Sequence, residues 1–213
     1  MKKLVLAVVF GVFVTASMAQ YDENALAVLD AMSAKYKKIP AYSAAITSSL
    51  INETEGLNEQ FSGKISVKGE MYKLELEEQL VINNGTTVWT YLPDVNEVNI
   101  DNYNPEDDEM SPSKIYDAYK NGYKYVLIGE QTINGALCSE IDLIPNDRDA
   151  QFFKIKLFIS KKDNSLKSWT MFDKSGNKYK YTIKDFKQLN NSKDSDFAFN
   201  AADFPGVDII DLR

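Results

Sequence analysis

The residues best suited to chemistry are the acids between Asp101 and Glu109. They are Asp101, Glu106, Asp107, Asp108 and Glu109. Such a group can bind calcium or supply the acid and base of a hydrolase. The spacing does not fit a calcium loop, because Tyr103 and Pro105 stand where ligands belong and Glu106 replaces the turn glycine. A carboxylate-pair hydrolase stays open, and a solvated loop is the simpler expectation.

Histidine and cysteine chemistry is limited by composition. The sequence has no histidine, which excludes His-dependent triads and imidazole metal ligands. Cys138 is the single cysteine, so it has no partner for an internal disulfide and no second thiolate for zinc. It lies among apolar strand residues, where we expect it to pack quietly. We therefore expect no enzyme activity, no metal and no cofactor, with the carboxylate-pair hydrolase as the alternative.

Residues 1–19 have the pattern of a cleaved signal peptide. Lys2 and Lys3 precede an apolar run over 4–14, and Ala19 ends a small-residue cleavage site. The apolar run is too short to span a bilayer comfortably. We therefore expect export from the cytoplasm to the periplasm.

Residues 20–213 are predicted to form one domain, which we expect to be monomeric. The whole chain has a net charge of −7, and loss of the two signal lysines changes it to −9. Phosphate backbones and anionic headgroups both require basic surfaces. The acidic balance therefore argues against nucleic acid and against electrostatic docking on lipid headgroups.

The elements that must position any site are mostly strands. Apolar residues at helical spacing predict one amphipathic helix over 22–38, capped by Asp22. After it, residues alternate with a period of two in about ten stretches, and two Asn-Gly pairs mark hairpin turns. A second, short helix is predicted over 111–121, with Pro112 at its first position and Gly122 after its end.

Ten strands and two helices leave much of one sheet face uncovered. One helix covers roughly two strands, since a helix is ~10 Å wide and strands lie ~4.8 Å apart. A strongly curved, incompletely closed antiparallel β-barrel covers its own apolar face, with the helices across its mouth. A two-sheet sandwich is the alternative. Whether the interior is packed or holds an apolar ligand stays open at this point.

The mature chain resembles the LolA-type periplasmic carriers of outer-membrane lipoproteins along nearly its whole length. The most specific part is the stretch 84–93, where a turn glycine is followed by Trp89, Tyr91 and Pro93. The other parts, which fit by order and spacing, are 26–30, 42–48, 63–68, Ser111-Pro112, the strands over 152–184, Phe197-Ala198-Phe199 and Gly206-Val207.

The resemblance implies a mainly β fold in which an α-helical lid covers a hydrophobic cavity for acyl chains. It also implies acylated lipoproteins as cargo, an inner-membrane ABC-type release complex as donor, and an outer-membrane receptor or membrane as acceptor. A lipid-binding or lipoprotein-sensing module of the same fold is the alternative. The predicted cavity residues are Leu29, Met32, Met71, Tyr72, Leu74, Trp89, Tyr91, Ile115, Tyr119, Phe153, Ile155, Leu157, Trp169, Met171, Tyr181 and Ile183.

One position departs from that family. The arginine that ties the lid to the barrel in LolA-type carriers falls just after Lys68, where this chain has Gly69 and then Glu70. We therefore expect the lid of this protein to be held in another way.

Overall fold

The computed structural model describes residues 22–105, 111 and 114–213. The predicted signal peptide at 1–19, the acids from Glu106 to Glu109, and Pro112 lie outside the described residues.

The predicted N-terminal helix is confirmed as α1, Glu23–Lys37. Asp22 caps it, because its side-chain oxygen accepts from the amides of Asn24 and Ala25 at 2.9 and 3.2 Å. One stripe of the helix is buried, namely Ala25, Leu29, Met32, Ser33 and Tyr36. Among the described residues, none of the helices has the length and apolar character needed to cross a bilayer.

Twelve strands form one sheet within the described residues. They are β1 Ala41–Asn52, β2 Leu57–Lys68, β3 Met71–Leu76, β4 Leu80–Asn83, β5 Thr87–Leu92, β6 Glu97–Asn102, β7 Tyr123–Ile133, β8 Ala136–Pro145, β9 Phe152–Ser160, β10 Leu166–Asp173, β11 Lys178–Gln188 and β12 Asp208–Asp211. Their order is β12-β6-β5-β4-β3-β2-β1-β11-β10-β9-β8-β7. All neighbours are antiparallel except β12, which pairs in parallel with β6. The expected antiparallel sheet of about ten strands is thus a mostly antiparallel one of twelve.

The sheet curls around α1 without closing. Buried residues from β1–β3 and from β8–β11 belong to one apolar cluster with the inner stripe of α1. Strands from distant parts of the sheet order therefore face the same helix. The edges, β12 and β7, do not pair with each other. The predicted fold class, a mainly β and incompletely closed barrel, is confirmed, and α1 is the one α-helix of the described residues that packs against its concave face.

The chain after β11 covers part of the outer, convex face. Phe197 is buried there, and the ring of Phe204 lies 4.5 Å from that of Tyr91 on β5. Phe199 stacks on Phe204 with ring centroids 4.8 Å apart. The convex side of β5 is therefore covered by a second, smaller apolar layer.

The short helix predicted over 111–121 is not an α-helix in its described part. Residues 114–117 form turns, and Ala118–Lys120 form a 3₁₀ helix. The Ala118 amide donates to the Lys114 carbonyl at 3.1 Å, but the next bonds have the shorter 3₁₀ spacing. Short 3₁₀ pieces are common in connections, since their hydrogen-bond geometry does not support long runs. We call residues 114–120 the lid segment.

Candidate ligand-binding surface

The concave face of the sheet has two regions that differ in exposure. In the sealed region, the concave residues of β8 and β9 are covered completely. Ile141, Leu143, Ile155 and Leu157 have 0% exposure. In the open region, on β1–β4 and the start of β11, the concave apolar residues are only half-buried. They are Leu50, Phe61, Leu74, Leu76, Val81, Tyr179 and Tyr181.

Strand register places these residues on one face. Directly opposed residues of paired strands project to the same side of a sheet. Leu74 lies opposite Ile65 on β2 and Val81 on β4. Tyr181 lies opposite Ser48 on β1 and Trp169 on β10. The open region is therefore continuous with the sealed region across β11 and β10.

The sealed region is covered by α1 and the lid segment. Leu29 and Met32 of α1 are fully buried against it, and Ile115 of the lid segment is 1% exposed. The Asp22 carboxylate also accepts from the Leu127 amide of β7 at 2.9 Å, which fixes the start of α1 on the sheet edge. Hydrogen bonds from the amides of Leu127 and Ala25 lower the pKa of Asp22.

Polar contacts tie the lid segment to α1. The Asp117 carboxylate accepts from Ser33 and is paired with Lys37 at 3.2 Å and Lys120 at 2.6 Å. Burial acts to raise the pKa of Asp117, but hydrogen bonds from Lys120, Ser33 and Lys37 outweigh it and lower that pKa. These contacts hold the lid segment with no arginine taking part.

A second tie joins Tyr119 to α1. Its hydroxyl donates to the Asp30 carboxylate at 2.5 Å. Burial, followed by this hydrogen bond, raises the pKa of Tyr119 well above its ordinary value. The hydroxyl therefore stays protonated and keeps its donor role throughout the physiological pH range.

Four aromatic rings close the junction of α1, β1 and the lid segment. Tyr36 stacks on Tyr116 with ring centroids 3.4 Å apart, and Tyr42 stacks on Phe186 at 5.0 Å. The hydroxyls of Tyr42 and Tyr116 lie 3.0 Å apart, and the Leu166 amide donates to the Tyr36 hydroxyl at 3.2 Å. Burial raises the pKa of Tyr36 to about 12 and also raises the pKa values of Tyr42 and Tyr116.

A cleft of about 280 Å³ lies beside this junction. Gly69 of the β2–β3 turn, Lys37 of α1 and Asp117 of the lid segment are among its lining residues. A Cβ on Gly69 would meet no atom within 4 Å. The space next to Gly69 is therefore open to a larger side chain at its first atom.

Trp169 lies at the border between the two regions. It is 4% exposed, and its ring stacks on Tyr181 with centroids 4.8 Å apart. Its Nε1 is buried and, in the described part of the chain, has no hydrogen-bond acceptor. A buried donor without a partner is costly, and most such groups in folded proteins are satisfied.

Most of the predicted cavity residues lie on the concave side, that is, on the concave sheet face or on the elements packed against it. Those that are buried are Leu29, Met32, Tyr72, Ile115, Tyr119, Ile155, Leu157, Trp169, Met171 and Ile183. Leu74 and Tyr181 are half-buried in the open region. That any of them binds acyl chains stays a prediction.

Three predicted cavity residues project to the convex face instead. Trp89 lies opposite Ile82, which lies opposite Lys73 on the convex side of β3. Tyr91 is on the same side of β5 as Trp89 and packs on Phe204. Met71 lies opposite Lys68 of β2 and shares the convex side of β3 with Lys73. The register therefore contradicts their placement on the concave face. For Trp89 and Tyr91 the reason is that the turn between β3 and β4 puts Tyr72 opposite Asn83 rather than Ile82, and Met71 is the strand neighbour of the inward Tyr72 and projects to the other side.

Phe153 is a further correction, since it is 48% exposed. The register of β9 against β10 shifts at this point, so that Lys154 lies opposite Phe172 and Phe152 opposite Asp173. A β-bulge of this kind reverses which residues face inward. Phe152 takes the inner place and lies 5.7 Å from Tyr179.

Sequence reasoning missed several residues of the open region. Leu50, Phe61, Leu76, Val81 and Tyr179 were not predicted cavity residues, although each continues an alternating pattern. The Asn84-Gly85 hairpin fixes the register of β4 on β5 and could have shown that Trp89 and Ile82 share a face.

Comparison with solved structures shows a shared fold. A conserved protein from Thermus thermophilus, described as uncharacterized, is 13% identical and aligns with a TM-score of 0.59 over 89% of this chain and 99% of that one. The lipoprotein LppX of Mycobacterium tuberculosis is also 13% identical, with a TM-score of 0.54 over 81% of this chain and 100% of that one. A LolA superfamily protein from Nitrosomonas europaea is 12% identical, with a TM-score of 0.45 over 82% and 97%.

Sequence comparison identifies a family. No curated protein sequence matches the chain. A family model described as "Uncharacterized protein"-like matches residues 66–195, from β2 to the segment after β11. Because this match spans more than half of the chain, the protein belongs to that family.

Proposed function

We propose that this protein is a periplasmic carrier that encloses the acyl chains of lipoproteins and delivers them from the inner to the outer membrane. The observation that carries the proposal is the open region, where half-buried apolar side chains continue the concave core and no element of the described residues covers them. The resemblance of residues 84–93 to LolA-type carriers supports the same role.

Acyl chains need such a surface to cross an aqueous compartment. Each methylene exposed to water costs about 0.8 kcal/mol, so a lipoprotein with several long chains does not leave a membrane freely. The open region offers non-directional contacts from Leu74, Leu76 and Tyr181, which tolerate chains of different length. The donor is an inner-membrane ABC-type release complex and the acceptor an outer-membrane receptor or the membrane itself.

A lipoprotein carries several long acyl chains, so loading requires a larger part of the concave face than the open region alone. The lid segment is held to α1 by exchangeable polar contacts at Asp117 and Tyr119 and by the stacking of Tyr116 on Tyr36. Water can replace the polar contacts at modest net cost. Acyl chains therefore enter from the open region and displace the lid segment from the sealed region.

Native mass spectrometry of the exported protein, purified together with its bound molecules, tests the cargo. We expect the wild type and Val126→Asp to carry an acylated protein, and Leu74→Asp to carry none. Val126 is a matched control, since it is exposed on a strand but lies on the convex face. A bound free lipid would favour a lipid-binding or lipoprotein-sensing module, and an empty protein that takes up no apolar dye would contradict the carrier.

Spin labels test the lid movement. Labels at Ala34 on α1 and at Asn121 after the lid segment, in a Cys138→Ala background, should move apart when a long-chain lipopeptide is added. Both positions are exposed, so the labels leave the core intact. Unchanged distances in protein that has bound the lipopeptide would contradict the lid movement.

A further inference from the structure

The end of the sheet at which the open region lies is strongly acidic. Three hairpin turns lie at this end, and they join β1 to β2 (53–56), β3 to β4 (77–79) and β5 to β6 (93–96). They carry Glu53, Glu55, Glu77, Glu78 and Asp94 and contain no lysine or arginine. The turns at the opposite end of the same strands, 69–70 and 84–86, carry one acid, Glu70. Among the turns of β1–β6, the acids are therefore concentrated at this end of the open region, which we call the mouth. The turn from β10 to β11 lies at the same end and adds the cations Lys174 and Lys178.

A further acid lies on the concave face itself. Glu59 lies opposite Leu50 on β1, and it follows Leu57 and precedes Phe61 along the concave side of β2. Its side chain is exposed and has no ion-pair partner among residues 22–105, 111 and 114–213. An acid thus stands between two half-buried apolar residues of the open region.

Most acids of the mouth are not paired with a lysine or arginine of the described residues. Glu53 pairs with Lys178 at 2.5 Å. Glu55, Glu77 and Asp94 make no ion pair in the described ranges. One carboxylate oxygen of Glu78 is buried with no hydrogen-bond donor in the part of the chain that the structure describes. Several like charges around the apolar surface of the open region raise the local concentration of cations.

An independent observation points to a ligand at the inner end of the open region, where it borders the sealed region. The side chain of Trp169 is more than nine-tenths buried, with 4% exposure, and it projects from the concave face against Tyr181. Its unpartnered Nε1–H is a donor only. An ester or amide carbonyl at the head of an acyl chain is the acceptor that would satisfy it.

We propose that the open region selects acyl chains that are attached to a polypeptide segment rich in lysine or arginine. The acyl chain lies on the apolar residues with its carbonyl at Trp169. The polypeptide runs from there along the open region, so that basic residues within a few positions of the acylated one meet the acids of the mouth. This inference rests on the proposed function, because it names the chemistry of the cargo that the carrier takes.

Three synthetic lipopeptides test the proposal. They share one palmitoylated cysteine and differ in the next four residues, which are lysines, serines or glutamates. Calorimetric titration at low salt should give affinities in the order lysine, serine, glutamate, with about five- to tenfold between the first two. The difference should nearly vanish at 1 M salt, where the screening length falls to about 3 Å.

Two charge variants locate the effect. Glu59→Gln with Glu77→Gln should reduce the preference for the lysine peptide to about twofold. Glu70→Gln with Asp185→Asn changes the net charge equally, away from the mouth, and should leave the preference unchanged. Equal loss in both variants would overturn the assignment to the mouth.

The outcomes separate this inference from the proposed function. If the three lipopeptides bind equally, or the glutamate peptide binds best, the cationic selection is wrong and the carrier survives. If none of them binds, the carrier itself is wrong. If the lysine peptide without its acyl chain binds as tightly as with it, the acids act as a general cation surface and the selection of acyl chains is overturned.

Discussion

The sealed and open regions belong to one concave face but have different covers. Over Ile141 and Leu157, α1 and the lid segment are packed and tied together by Asp117 and Tyr119, and both strand residues have 0% exposure. Over Leu74 and Tyr181, no described element completes the cover, and both side chains stay half-buried. The same type of apolar strand residue thus stabilises the fold in one region and is left available in the other.

The difference shows how a protein of this fold can combine a stable core with an apolar surface that is open to a ligand. Burial of apolar area contributes about 25 cal/mol per Å² to folding, and the completely buried side chains of the sealed region contribute in full. The open region gives up part of this stabilisation, because its residues keep contact with water. Binding of the proposed acyl chains would recover that part, which is why the proposed function assigns affinity to the open region.

The largest expected effect separates the regions by stability. Leu29→Ala leaves a cavity in the sealed region and should lower the free energy of unfolding by about 2–5 kcal/mol. Leu74→Ala removes a half-exposed side chain and should lower it by roughly 1 kcal/mol. Urea unfolding measures both. Equal losses would mean that the two regions are packed alike.

The next effect separates the regions by affinity. Tyr181→Ala removes a half-buried aromatic ring of the open region and should weaken lipopeptide binding about tenfold, equal to 1.4 kcal/mol. Leu29→Ala, which lies in the sealed region, should change affinity less than threefold under conditions where it is folded. The comparison fails if Leu29→Ala weakens binding more than Tyr181→Ala does.

A smaller effect concerns the tie between the lid segment and α1. Asp117→Asn removes the charge that Lys37 and Lys120 neutralise and should speed amide exchange in residues 114–121, at a cost of about 1 kcal/mol or less because the site is partly exposed. Thr47→Val, on the convex side of β1, is a control that should leave this exchange unchanged.

The same tie should depend on pH. The pKa of Asp117 is lowered in the folded protein, so its stabilising effect is complete above the ordinary value of 3.8. It is lost as the pH falls below 3.8 and passes through the lowered value. Hydrogen exchange of residues 114–121 should therefore rise in this range for the wild type, and Asp117→Asn should lack that step.

The smallest expected effect is at Gly69. Its φ of +58° costs a side chain roughly 1–2 kcal/mol, but the Cβ meets open space beside the lid segment. Gly69→Arg can form a new ion pair with Asp117 across the cleft, so the net change in unfolding free energy should stay within about 1 kcal/mol. A Gly69→Ala control shows the backbone cost by itself. If the arginine variant is no more stable than the alanine variant, the cleft does not bring the two groups together.

Elements with strong local signals were predicted correctly from the sequence. The cap at Asp22 and the apolar spacing of α1 are local features, as are the Asn84-Gly85 and Asn134-Gly135 turns. The lid segment shows the limit, because Gly122 and the apolar positions favoured a helix, whereas packing of Tyr116 and Tyr119 onto α1 and β1 gives turns and a 3₁₀ helix.

The assignment of residues to the concave face required more than alternation. Trp89 and Tyr91 have the same pattern as Tyr72 and Leu74, yet they face the other way. Whether two strands share a parity depends on the number of residues in each turn between them, and one bulge at Phe153 reverses it again. The lengths of turns and bulges are weak sequence signals because many residue combinations permit them.

The sequence by itself determined that the chain forms one amphipathic helix and a long series of two-faced strands, since both periodicities are properties of neighbouring residues. The tertiary structure alone decided which face became concave and which part of that face stayed uncovered. The physical reason is that curling of the sheet brings β3 and β9 to the same helix, and one helix with one short lid segment is too small to cover all the strands that meet there.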